Sequence, residues 1–73
     1  MDEAEIFERM SRAMERRFGV SSLPFGLSLA AEGFGGQRWR MIDLESGSWI
    51  DAWIYPATRR IFICNEYDGE ASR

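Results

Sequence analysis

The sequence predicts an α+β domain, in which an N-terminal amphipathic helix packs on a three- or four-stranded antiparallel β-meander. Three observations lead there. Apolar residues recur at helical spacing over residues 2–18, the pattern switches to a period of two from residue 37 onward, and two turn signals divide that second stretch. The chain has 73 residues, of which 45% are hydrophobic, 14% aromatic and 29% charged, a composition of one small folded domain over residues 1–73.

The helix is expected over residues 2–18. Asp2 can cap its N-terminus, Glu3 and Glu5 lie in the first turn, and Arg16 and Arg17 lie in the last, so the charges complement the helix dipole at both ends. Glu5–Arg9 and Glu8–Arg12 are i,i+4 pairs in the favourable order. Ile6, Phe7, Met10, Ala13, Met14 and Phe18 form a single stripe, and Gly19 suits the position after the last turn. Residues 20–36 read as a linker. Within it residues 26–31 fit a strand, with Leu27, Leu29 and Ala31 on one face, or a short helix. Residues 32–36, rich in glycine, fit a flexible loop.

The meander is expected over residues 37–65. Its strands are 37–44, 49–55 and 60–65, with turns at 45–48 and 56–59; Pro56 belongs to a turn because it cannot donate to a ladder. Residues 66–73 are polar and are expected to fray.

Strand parity carries the most information. One face of residues 49–55 holds Trp49, Asp51, Trp53 and Tyr55, and the other holds Ile50, Ala52 and Ile54. In residues 60–65, Ile61 and Ile63 oppose Phe62 and Cys64. A sheet with one solvated face alternates apolar and polar residues, and these strands are apolar on both sides. One helix covers one face, and the Ile/Ala face is its natural partner. The second face then presents Trp49, Trp53, Tyr55 and Phe62, with Trp39 and Met41 as candidates to join them. Four such aromatics offer about 600–1,000 Å², above the about 300–600 Å² of a typical monomer's largest apolar patch. Either residues 20–36 fold back over this face through Leu23, Phe25 and Phe34, or a second chain covers it. The candidate partner-binding residues are Trp49, Asp51, Trp53, Tyr55, Phe62 and Trp39. Asp51 would pair with a partner's Arg or backbone, or across the strands with Arg38 or Arg60.

Chemistry is sparse by comparison. The chain has no His and one Cys, which removes His-based acid/base catalysis, Ser-His and Cys-His nucleophiles, ordinary zinc sites and an internal disulfide. Cys64, with no Lys or His to activate it, reads as a buried apolar thiol. Residues 33–36 resemble a phosphate loop only in glycine content, because they lead into a strand and lack the Lys-Ser/Thr sequel. Asp43 and Asp51 would face each other if the register of the hairpin allowed it, and paired acids can do acid/base work. Asn65, Glu66, Asp68 and Glu70 miss the calcium-loop spacing. No enzyme activity, cofactor, metal or small-molecule substrate is expected.

The net charge of −3 argues against a duplex-DNA binder, and all nine basic residues are Arg. Interleaving of Arg38, Arg40, Arg59 and Arg60 with aromatics allows an alternative, single-stranded nucleic-acid binding on a β-surface. The leading expectation is a non-enzymatic protein-interaction domain, a small regulator or inhibitor that forms a homodimer or docks on a larger protein through its aromatic face. Phage- or mobile-element inhibitors of host defence complexes, anti-CRISPR proteins among them, share this size and acidity; that placement is an analogy without a motif. No apolar run approaches a membrane span, and no secretory leader pattern is visible, so a cytoplasmic location is expected.

Overall fold

The computed structural model of the chain describes residues 1–19 and 24–70. Its elements run α1 (Glu3–Phe18), β1 (Phe25–Gly33), β2 (Gly36–Asp43), β3 (Trp49–Tyr55) and β4 (Arg60–Tyr67). The four strands form one antiparallel sheet in the order β1-β2-β3-β4, and α1 packs on one face of it. This is the α+β arrangement that the sequence predicts.

The helix starts and stops where its ends are chemically satisfied. The Asp2 carboxylate accepts the Glu5 N–H at 2.8 Å, and Gly19, at φ 72°, donates its N–H to the Glu15 carbonyl at 2.9 Å. Ile6, Met10, Ala13 and Met14 are buried against Trp39, Met41, Ile50, Ala52 and Ile54, and that cluster is the core. Polar ties fix the helix on the sheet at both ends. Near its start, Glu5 pairs with Arg59 and the Arg9 guanidinium donates to the Arg59 carbonyl at 2.8 Å; near its end, Arg17 reaches Glu66 at 3.4 Å.

The Ile/Ala face of β3 is the one that α1 covers, as expected. Trp39 and Met41 are on this face as well, opposite Ala52 and Ile50. The expectation that they join the aromatic face is therefore corrected. Trp39 is a core residue whose indole N–H donates to Gln37 Oε1 at 3.1 Å.

The linker reading also changes. Residues 26–31 lie in β1, a full edge strand, and residues 32–36 form a tight hairpin, with Gly33 paired to Gly36 across the turn Phe34-Gly35. These residues extend the sheet, and they do not fold back over its second face. Phe25 packs on the core side and Phe34 projects fully into solvent at the turn, while Leu23 lies outside the described residues. A bulge at Ala30 breaks the expected parity: Leu27 and Leu29 lie opposite Met41 and Trp39, whereas Ala31 lies opposite Arg38 on the other side.

A second bulge, at Cys64, acts in the same way on β4. Ile61 and Ile63 face the helix side, but Asn65 then falls opposite Asp51 and Tyr67 opposite Trp49. Cys64 is exposed, which corrects its reading as a buried thiol. Nor does the segment from Glu66 to Glu70 fray. β4 runs to Tyr67, and Gly69 is buried, its N–H donating to Ser48 Oγ at 2.9 Å. A Cβ on Gly69 would fall 2.1 Å from the Ser46 carbonyl oxygen, so only glycine fits under the β2–β3 turn.

Candidate functional site

The sheet face away from α1 is built from alternate residues of all four strands. β1 contributes only small groups, Gly26, Ser28 and Ala31. β2 contributes Arg38, Arg40 and Ile42; β3 contributes Trp49, Asp51, Trp53 and Tyr55; β4 contributes Arg60, Phe62, Asn65 and Tyr67. No helix or strand among the described residues lies over this face. Phe62 is 50% exposed and Tyr67 42% exposed, and Trp49, Trp53 and Tyr55 are half-buried.

Asp51 sits at the centre of the face with only 1% of its surface exposed, two residues from Trp49 and two from Trp53 along a strand that places all three on the same side. A carboxylate so deeply set must be paired, and both arginines of β2 serve it. Arg40 binds it bidentately, Nε to Oδ1 at 2.7 Å and Nη2 to Oδ2 at 3.0 Å, and Arg38 Nη2 reaches Oδ2 at 2.7 Å. The Arg40 hydrogen bonds hold the Asp51 carboxyl below its usual range against the opposing effect of burial, and Arg38 adds to them. Asp51 therefore makes its ion pairs within the chain, one of the two alternatives the sequence leaves open, with Arg38 and Arg40 as the partners and not Arg60.

The lock orders the rings around it. The Arg40 guanidinium stacks on the Trp49 ring, 3.9 Å from its centroid. From the β4 side Tyr67 stacks on the same indole, with centroids 6.1 Å apart and planes at 24°. Tyr55 and Phe62 meet edge-to-face at 5.9 Å. Gly36 lies beneath Tyr55, where a Cβ would come within 2.8 Å of the ring. With Trp53, which lies between Arg38 and Phe62 across the ladders, these two ring pairs form one band of Trp49, Trp53, Tyr55, Phe62 and Tyr67. Tyr67 is the member sequence reasoning missed. It lies in a polar tail by composition, and only the bulge at Cys64 brings it into register with Trp49.

Charge is segregated between the two sides. The open face carries Arg38, Arg40 and Arg60 against Asp51 alone, a positive surface in a chain of net charge −3. Of the four arginines considered for nucleic-acid binding, Arg59 does not belong to this surface. It sits in the β3–β4 turn at φ 60° and pairs with Glu5 of the helix.

Asp43 and Asp51 do not face each other. Asp51 is opposite Arg40, and Asp43 lies at the end of β2 on the helix side, where it organises the β2–β3 turn. Burial pushes the Asp43 carboxyl up, but bonds from the Glu45 N–H at 2.8 Å, the Ser46 hydroxyl at 2.9 Å and the Ser46 N–H outweigh it and hold it below its usual range. Each carboxylate thus has a structural task that keeps it ionised.

Comparison with known proteins found no matching family model, no matching curated protein and no matching solved structure.

Proposed function

We propose that this protein is a non-enzymatic docking module, a small regulator or inhibitor that acts by occupying a larger protein through its open sheet face. The observation that carries the reading is the band of Trp49, Trp53, Tyr55, Phe62 and Tyr67, fixed around the Asp51–Arg38–Arg40 lock and left uncovered by the described secondary structure. Rings that are ordered before binding lose little freedom on association, and Trp, Tyr and Arg are the residue types that dominate interface energetics. The arginines favour a partner that presents carboxylates. For the same reason a face-to-face homodimer is the weaker option, since it would bring Arg38, Arg40 and Arg60 against their own copies.

Single-stranded nucleic-acid binding is supported less well. Base stacking needs free ring faces, and the Trp49 indole is flanked by Arg40 and by Tyr67.

The test is a comparison of variants as bait in extract of the cells that encode the protein. Phe62→Glu and Tyr67→Glu are expected to lose a partner that the wild type and Arg16→Glu, on the outer helix surface, both retain. Equal retention by all four chains would overturn the reading. Retention of oligothymidine at low salt, lost in Arg60→Glu, would favour the nucleic-acid alternative.

A further inference from the structure

Phe34 stands where the folding of the chain gives no reason for it. It and Gly35 form the turn between β1 and β2, both with positive φ, 54° and 76°. Two-residue hairpin turns of this kind favour Asn, Asp or Gly at the first position, because a Cβ is crowded in the left-handed conformation. Phe34 adopts it, and its ring gains no packing in return, being fully exposed at 104% of the reference surface.

The glycines around it point the same way. Gly36 is glycine for an internal reason, since Tyr55 lies over it. Gly33 is not: beyond its two chain neighbours, a Cβ there would meet no atom of the described residues within 4 Å. A glycine that internal packing does not require leaves bare backbone for something outside to approach. The hairpin end is thus an aromatic knob on a thin stalk. It is continuous with the open face, because Gly36 adjoins Tyr55, and Tyr55 pairs with Arg60 across the β3–β4 ladder.

We propose that Phe34 is an insertion anchor, its ring entering an apolar pocket on the protein that the open face covers. The inference rests on the docking reading and adds a second contact to it. The pocket is assigned to a different protein, because a second copy docked on the same face would bring Arg38, Arg40 and Arg60 against their own counterparts. A bilayer is a poor receptacle. The hairpin end offers one apolar side chain beside Glu32, and residues 30–37 hold no Lys or Arg for anionic headgroups.

Two measurements test this on the full chain. In thermal unfolding, Phe34→Asn is expected to keep the melting temperature or raise it by up to about 4–8 °C, because Asn-Gly suits the turn. A fall of that size would make Phe34 a structural residue and overturn the proposal. In the second, a photoreactive benzoylphenylalanine replaces Phe34, with the same label in place of Phe62 in a parallel chain, and both are irradiated in extract of the encoding cells. The expected result is an adduct from position 34 whose cross-linked residues line an apolar pocket. Excess wild type displaces it, and Phe34→Asn does so at least about 10-fold less well. Equal displacement by Phe34→Asn overturns the anchor, as does an adduct to a second copy or to lipid. An adduct from position 62 alone overturns the anchor and leaves the docking reading standing; no adduct from either position overturns both.

Discussion

A carboxylate set among tryptophans on an antiparallel sheet stays charged only if its neighbours supply the hydrogen bonds that water would have given it. Asp51 receives three from Arg38 and Arg40, so removing it leaves two guanidiniums facing each other and a gap between Trp49 and Trp53. Asp51→Ala is expected to cost about 2–4 kcal/mol in denaturant unfolding. That is less than the full cost of breaking a buried pair, because both arginines reach solvent. The sign of the pH effect follows from the lowered carboxyl. Its contribution is complete above the unfolded value of about 4 and is lost as pH falls through the lower folded value. Acid unfolding curves should therefore show wild type losing stability below about pH 4 more steeply than Asp51→Asn, which lacks the titrating group. Glycines give a sharper contrast. Gly69→Ala sets a Cβ 2.1 Å from the Ser46 carbonyl oxygen and should cost about 3 kcal/mol or abolish folding. Gly33→Ala, whose new Cβ meets no atom of the described residues within 4 Å beyond its two chain neighbours, should stay within about 0.5 kcal/mol of wild type.

Among the elements, α1 and the two inner strands carry the stability. A domain of 73 residues has about 4–11 kcal/mol in total. Met10→Ala, which opens the fully buried centre of the helix–sheet contact, is expected to remove about 2–5 kcal/mol of it and to leave much of the chain unfolded at 37 °C by circular dichroism. The helix, β2, β3 and their turns were legible because each rests on local rules: a cap, a stripe, a period of two, a proline. β1 was legible only as one of two options, since Gly-Leu-Ser-Leu-Ala-Ala fits short helix and strand alike. What could not be read is what the bulges do. An extra residue at Ala30 or Cys64 leaves no mark in composition, yet it reverses parity for everything beyond it. Ala31 thereby leaves the core side, and Tyr67 joins the aromatic band. The side on which Trp39 and Met41 lie escapes the sequence for a related reason. Their side is set by pairing Trp39 with Ala52, and residues 37–44 taken alone do not fix that register.

For the whole molecule, the division of labour between the two sheet faces decides how it can act. One side is closed by α1 and carries most of the acidic residues; the other is aromatic and arginine-rich. Association through the second should weaken several-fold between about 50 and 300 mM salt, and Arg60→Glu, which leaves Asp51 and its partners untouched, should flatten that dependence in a titration. Among the described residues no helix is long and apolar enough to cross a membrane. The central claim is that the open face is free in the isolated chain and covered when the chain acts. A solvent paramagnetic relaxation map by NMR, recorded on the free protein and on its complex with the recovered partner, tests it most directly. The account predicts strong attenuation at Phe34, Phe62 and Tyr67 in the free chain and its loss in the complex, with Glu8, Arg12 and Arg16 attenuated in both. Protection of the outer helix while Phe62 and Tyr67 remain attenuated, or a face already shielded in the free protein, would contradict it.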